Sequence, residues 1–280
     1  MTATIAAPPA WTGSTKALET PWARGPIDTL RSEWTKLRTV RSTWSCLLIV
    51  LGGSTAVGSL VCAAVAAHWD KMSLGERVTF DPTFRSLTGL AIAQLAIGVL
   101  GVLVITAEYS SGMIRSSLAA VPSRREVLAA KATALAPVAL IVGTATCVGS
   151  FLVGQAILNS KGIGVSLAQP AVLRAVLGGG LYLTALALFG LGLGTICRRS
   201  AAGISAFVGL VLVAPAIIRT LPAPWGNDIA KFFPSEAGQA LLNVKAASGQ
   251  LAPWTGFAVL CAWAAVALIL GAVVISRRDA

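Results

Sequence analysis

Six long apolar stretches constrain the fold of this chain more than any other feature. A helix needs roughly 20 apolar residues to cross about 30 Å of hydrocarbon. Six stretches reach that length, at about 45–67, 87–107, 132–157, 172–196, 201–219 and 254–276. Only 12% of the residues are charged, against about 25% in soluble domains. We therefore predict an all-α polytopic membrane protein with six transmembrane helices.

Basic residues gather at the ends of these apolar stretches. If the N-terminus lies in the cytoplasm, the segments on that side are 1–44, 108–131, 197–200 and 277–280, which hold 14 of the 22 Lys and Arg residues. The positive-inside rule assigns such segments to the cytoplasmic face. We therefore predict a multi-pass protein with both termini inside. We attribute the net charge of +11 to this bias and expect the lipid bilayer, not nucleic acid, as its partner.

The chain ahead of the first apolar stretch has two parts. Residues 1–28 are rich in Ala, Thr and Pro without an apolar block, which predicts a disordered cytoplasmic tail before a six-span domain at 29–280. Residues 29–44 predict an amphipathic helix in the headgroup plane, with its basic residues toward anionic lipid. A charged stop ahead of the first span is the alternative. The helix rests on Leu30, Trp34, Leu37 and Trp44 close to one face, with Arg31, Lys36, Arg38 and Arg41 mostly elsewhere.

The longest predicted outer loop covers residues 220–253. Trp225 and Trp254 are suited to anchor its two ends at the membrane interface. Pro234 followed by Ser235 is a typical helix start. We predict one or two short helices that cap the outer face of the membrane domain.

Missing residue types limit the function classes. The middle of each apolar stretch has no Asp, Glu, Lys, Arg or His, which disfavours an ion-coupled carrier. Gln94 and Gln155 are predicted to form interhelical hydrogen bonds. The single histidine, His68, lies beside Asp70 without the cluster that a metal or catalytic site needs, so we expect no metal, cofactor or catalytic residue.

The energy source for uphill transport is also constrained by the sequence. The chain contains no Gly-Lys dipeptide, so the phosphate-binding loop G-x-x-x-x-G-K-[ST] is absent. Active transport would therefore draw its energy from another subunit.

Glycine is dense in residues 178–194, where Gly190 and Gly194 form a G-x-x-x-G motif. Small residues allow helices to approach closely in lipid. The motif predicts close packing, either within the chain or against a second copy.

The segment AEYSSGMIRSSLAAVPSRREVLAAK, residues 107–131, joins the second and third apolar stretches. Residues 110–112 predict a turn, and Ile114, Leu118 and Val121 fall on one face of a short helix. Ser123 and Glu126 then match a capping box that starts the next helix. A short amphipathic helix between two spans is suited to receive a push from a soluble partner. An interfacial helix without a partner is the alternative.

The order of residues in this segment, E-Y-x-x-G-M-I-R-x-x-L-x-x-x-P-x-R…V-L-x-x-K, resembles the intracellular loop of type-2 ABC transporter permeases. SEWTKLRTVRSTW likewise resembles the interfacial connecting helix of that family, and the likeness extends over about 29–280. The family often has Thr at the position of Met113. The loop motif is carried by Glu108, Tyr109, Gly112, Met113, Ile114, Arg115, Leu118, Pro122 and Arg124, followed by Val127, Leu128 and Lys131.

The resemblance implies the membrane subunit of an ATP-driven exporter in the bacterial cytoplasmic membrane. Two six-span permeases, identical or different, would pair, and each would dock a separate ATPase subunit through the loop helix. Ile114 and Leu118 would anchor that helix in a groove of the ATPase, while Glu108 and Arg115 would fix the turn or meet charges on the partner. The competing hypotheses are an ion-coupled carrier and a membrane assembly or immunity protein without transport activity.

Overall fold

A computed structural model describes residues 26–114, 123–222, 225–245 and 249–277 of the chain. Over these ranges the regular structure is entirely helical. Six helices are long and apolar enough to cross a membrane, which confirms the predicted all-α, six-span fold. The predicted tail at 1–28 lies almost wholly outside the described residues. In chain order, spans 1 to 6 are Arg41–Lys71, Leu90–Ser111, Arg124–Asn159, Pro170–Cys197, Ser200–Ile218 and Pro253–Arg277.

Pro137 and Pro215 lie within membrane spans and have different effects on their helices. Pro137 lies inside span 3, which continues as one α-helix of 36 residues. Pro215 follows a π-helical turn, Gly209–Val213, in span 5. Proline lacks the N–H that would close an α-helical turn, and a wider turn accommodates its ring. At 1.5 Å per residue, span 3 is about 54 Å long, so it extends well beyond the hydrocarbon layer.

Span 4 lies at the centre of the bundle. In its most apolar 18-residue stretch, 78% of span 4 is buried inside the protein, against 22% of the corresponding stretch of span 5. A Cβ added to Gly190 would lie 2.3 Å from the Gly98 carbonyl oxygen, and one added to Gly101 would lie 2.1 Å from that of Ala187. The backbones of spans 2 and 4 are therefore in direct contact. The predicted close packing at Gly190 and Gly194 is confirmed, and it occurs within the chain.

Polar side chains join neighbouring helices as the sequence predicted. The Tyr182 hydroxyl of span 4 donates a hydrogen bond to Gln94 Oε1 of span 2. Gln155 Nε2 of span 3 donates at 3.0 Å to Ser86 Oγ, at the end of the short helix Pro82–Ser86 that precedes span 2. Both glutamines therefore form interhelical contacts, which confirms the interpretation drawn from their isolated positions.

The short helices predicted within residues 220–253 are confirmed, whereas their location on the outer side of the membrane stays a prediction. The segment contains the short helices Trp225–Ala230 and Pro234–Gln239 and a 3₁₀ turn at Ala240–Leu242. Trp225 and Trp254 are 68% and 61% exposed, as expected for side chains that meet lipid headgroups. We call this end of the bundle the distal end. The other end, against which the N-terminal helix packs, is called the terminal end.

The N-terminal helix, Pro26–Thr39, differs from the predicted amphipathic helix in its extent. Val40 has extended backbone angles, φ −78° and ψ 123°, and separates the helix from span 1, so Trp44 belongs to the first turns of span 1. The predicted apolar face is also divided. Leu37 is buried against the bundle, whereas Leu30 and Trp34 are 40% and 41% exposed. Helical periodicity predicts that these side chains share a face. It does not predict that only part of that face packs against the helix bundle.

Candidate functional site

The segment between spans 2 and 3 begins with a sharp turn at Gly112. Span 2 ends at Ser111, and Gly112 has φ +73°, a left-handed conformation that costs L side chains free energy. Its N–H bonds to the Tyr109 carbonyl at 3.4 Å. The turn predicted over residues 110–112 is therefore confined to Gly112, because Ser110 and Ser111 still belong to span 2, and its backbone conformation favours glycine.

The two residues after this turn have opposite environments. Met113 is 46% exposed, whereas Ile114 is 3% exposed and belongs to the hydrophobic core of the bundle. Ile114 is therefore not open to a partner in this structure, contrary to its predicted role as an anchor. Spacing alone does not reveal whether an apolar face turns toward the bundle or away from it. The other predicted contacts in this stretch, Arg115, Leu118 and Pro122, lie outside the described residues.

The start of span 3 corrects a second expectation. Ser123 has the extended backbone of an N-cap, but its side chain caps no backbone N–H of the first turn among the described residues. Its carbonyl accepts a hydrogen bond from the Glu126 N–H at 3.0 Å instead. The predicted capping box is therefore wrong, although the helix begins at Arg124, where the sequence placed it.

Four charged side chains form a cluster at the terminal end. Lys131 Nζ of span 3 lies 2.6 Å from Glu33 Oε2 and 2.6 Å from Glu108 Oε1. Lys36 Nζ lies 2.6 Å from Glu33 Oε1 and 2.7 Å from the same Glu108 oxygen. Each ammonium thus contacts both carboxylates, and the charges balance. We call Glu33, Lys36, Glu108 and Lys131 the ion-pair cluster.

The two lysines of the cluster differ in burial. The Lys131 side chain is 1% exposed and that of Lys36 is 29% exposed. Burial lowers the pKa of Lys36, but hydrogen bonds to Glu108 and Glu33 outweigh it and raise the pKa overall. Lys36 is therefore charged at neutral pH, and it faces carboxylates where the sequence predicted anionic lipid. A mostly apolar cavity of about 270 Å³, lined by Leu37, Val104 and Met113 among others, borders the cluster.

The cluster joins three elements that are distant in sequence. Glu33 and Lys36 come from the N-terminal helix, Glu108 from the end of span 2 and Lys131 from the first turns of span 3. Sequence reasoning missed Glu33 and gave Lys131 no role beyond the loop motif. One signal was available, because Glu33 is the single acid among the basic residues of 29–44.

Tyr109, next to Glu108, faces a different set of neighbours. Successive residues of an α-helix point about 100° apart, and the Arg198 guanidinium at the end of span 4 lies 5.5 Å from the Tyr109 ring centre. Arg198 Nη2 also donates to the Val274 carbonyl of span 6 at 3.1 Å. Arg124, at the start of span 3, donates to the Ile275 carbonyl at 3.3 Å. The arginines thus satisfy carbonyls in the last turns of span 6, where a helix attracts cations.

The Tyr109 contact predicts a difference between two substitutions. The buried Tyr109 hydroxyl has no hydrogen-bond partner among the described residues, so Tyr109→Phe should leave stability unchanged or slightly higher. Tyr109→Leu should lower it by about 0.5–2 kcal/mol because the cation–π contact is lost. Thermal unfolding of the purified protein in detergent measures both. A Tyr109→Phe variant as unstable as Tyr109→Leu would contradict the ring contact as the source of stability.

The fold defines an all-α, multi-pass membrane protein with six spans, in which ion pairs join the end of span 2 to the start of span 3. A family model described as "ABC-2 family transporter protein" matches residues 29–214, about two thirds of the chain. The match runs from the N-terminal helix into span 5. The chain therefore belongs to the ABC-2 family of transporter proteins, which confirms the resemblance seen in the loop motif. No curated protein matches the chain.

Proposed function

We propose that this chain is the membrane subunit of an ABC exporter that pairs with a second permease copy and is driven by a separate ATPase subunit. The ATPase docks on residues 112–123, and the terminal end faces the cytoplasm of a bacterial cell. Family membership supports the permease role, and the basic residues of the predicted inner segments support the orientation. The export direction comes from the resemblance of the loop.

The single observation that carries the docking proposal is the way both ends of the segment are held. The Glu108–Lys131 ion pair, at 2.6 Å, joins span 2 just before the segment to span 3 just after it. A short segment whose two flanking helices are joined by an ion pair transmits a displacement to both helices, because neither helix end can move independently to absorb it. Met113, 46% exposed immediately after the turn, offers an apolar contact to the ATPase.

The source of ATP hydrolysis follows from the sequence. The chain has no phosphate-binding loop of the G-x-x-x-x-G-K-[ST] type, so hydrolysis is assigned to the partner. Purification of the tagged permease in mild detergent from its native host should bring down an ATPase subunit. The complex should hydrolyse ATP and the rigorously purified permease should not. Hydrolysis by the permease alone, or recovery without any ATPase, would contradict the proposal.

A substitution at Met113 tests the docking surface. Covering its exposed half contributes roughly 1 kcal/mol, and a buried unpaired carboxylate costs considerably more. Met113→Asp should therefore reduce ATPase co-purification at least about tenfold, while Met113→Leu should retain it. Met113 is the better probe because Ile114→Asp would place a charge inside the permease core.

The matched control is Leu74→Asp, which places the same charge on an 82% exposed residue of the distal end. This variant should co-purify with the ATPase at the wild-type level. Quantitative immunoblotting of the eluted complex gives the ratio for each variant. Equal recovery from Met113→Asp and Leu74→Asp would remove Met113 from the docking surface.

A further inference from the structure

We propose that the ion-pair cluster makes the N-terminal helix move as one body with spans 2 and 3, so that Glu33, Lys36, Glu108 and Lys131 are positioning residues for coupling. This inference rests on the proposed ATPase docking. The N-terminal helix then shifts with residues 112–123 when the ATPase acts, and span 1 does not follow it directly.

The first step is the strength of the ionic connection. Lys131 is 1% exposed, and Glu33 and Glu108 are 4% and 5% exposed. A buried ammonium separated from its carboxylates would lose its ion pairs without regaining water. Because Lys131 holds one carboxylate from the N-terminal helix and one from span 2, these two elements and span 3 separate only at that cost.

The second step is the break in the helix between the N-terminal helix and span 1. The N-terminal helix reaches span 1 through Val40, whose extended backbone interrupts the helical hydrogen bonds. An exposed hydrogen bond from Trp44 Nε1 to the Arg38 carbonyl, at 2.9 Å, crosses the interruption. Such a contact competes with water and is weak compared with a buried ion pair. The helix is thus continuous in sequence with span 1 but is held more firmly to spans 2 and 3.

The third step is the position of the two anchors in the spans. Glu108 lies four residues before Gly112, and Lys131 lies seven residues after Arg124, the first residue of span 3. Each anchor is thus about one or two helical turns from the segment. A rotation imposed on the segment therefore reaches both sides of the cluster through short, stiff helix.

A double substitution separates this role from folding. Glu33→Gln with Lys36→Gln removes both cluster charges of the N-terminal helix and leaves the Lys131–Glu108 pair balanced. The variant should stay folded, with an unfolding temperature only moderately below that of the wild-type protein because the Lys36 and Glu33 ion pairs are lost, and it should co-purify with the ATPase at the wild-type level. Glu126→Gln is the matched control, because it neutralises an exposed carboxylate in the first turn of span 3.

Movement is measured by pulsed electron paramagnetic resonance on the permease–ATPase complex in nanodiscs, with the five native cysteines replaced by serine. One pair of spin labels, at Thr35 and Ile141, reports the distance from the N-terminal helix to span 3. The other, at Thr35 and Leu60, reports the distance to span 1. Each is recorded without nucleotide and after trapping with ATP and vanadate.

Trapping should change the Thr35–Leu60 distance by roughly 2 Å or more and leave the Thr35–Ile141 distance unchanged. In the double variant, the Thr35–Ile141 distance should shift or broaden on trapping, while Glu126→Gln should behave as the wild type does. The inference would be overturned if trapping changed the Thr35–Ile141 distance in the wild-type complex, or if it changed neither distance. It would also be overturned if the wild-type complex and the double variant responded in the same way. Failure of any ATPase to co-purify would instead overturn the proposed function.

Discussion

Lys131→Met is expected to destabilise the permease by about 3–5 kcal/mol. The substitution keeps the length of the side chain but removes the 1% exposed ammonium that contacts both Glu33 and Glu108. The two buried carboxylates would then keep only Lys36, and because the Lys131 position is 1% exposed, water does not replace the lost ammonium. Equilibrium unfolding in mixed detergent micelles, with SDS as the denaturant, measures the loss.

Lys36→Met provides the comparison within the same cluster. The Lys36 side chain is 29% exposed, and its removal leaves Lys131 in contact with both carboxylates. The expected loss is about 1 kcal/mol, as for a partly exposed ion pair. If the two variants lost equal stability, the buried position of Lys131 would not be what makes the cluster stable.

Gly190→Ala is expected to have a comparably large effect, for a steric reason. The new Cβ would lie 2.3 Å from the Gly98 carbonyl oxygen, and backbone on both sides leaves no flexible group to move aside. Spans 2 and 4 would have to separate along the centre of the bundle, and overpacking of this kind typically costs about 1–3 kcal/mol, occasionally more. The variant should give less monodisperse protein in size-exclusion chromatography and unfold at a lower temperature.

Gly149→Ala is the matched control for this prediction. Gly149 also lies in a membrane span, but the nearest atom to its added Cβ is Thr55 Oγ1 at 4.0 Å. Without a steric conflict, Ala should be neutral or raise stability by up to about 1 kcal/mol through its higher helix propensity. A similar loss in both variants would show that the substitutions act through helix propensity or lipid contact rather than through the crossing of spans 2 and 4.

The spans could be predicted because their determinants are local. Length and apolar composition define each one, and the turn at Gly112 depends on adjacent residues. The contacts that make the site were harder to predict, because they join residues far apart in the chain. Lys131 and Glu33, for example, are 98 positions apart, and each alone resembles an ordinary charge at the membrane interface.

Other expectations failed or stayed open where a local pattern permits two arrangements. The spacing of Ile114 fits a face turned to the ATPase as well as a face turned to the bundle, and the structure shows the second. Ser123 and Glu126 have the spacing of a capping box, but the Ser123 carbonyl closes the first turn. The glycine motif at Gly190 predicted close packing but did not identify the partner helix, because the sequence does not specify which backbone approaches it.

The arginine contacts on span 6 affect which parts of the chain tolerate change. Arg124 and Arg198 bind the carbonyl groups of Ile275 and Val274 and not their side chains. Exchange of Val274 for another apolar residue therefore preserves the contact, whereas a chain shortened by even one turn of this helix loses both hydrogen bonds. The end of the last helix is thus constrained in length more than in composition, so a fusion partner added after it is better tolerated than a truncation.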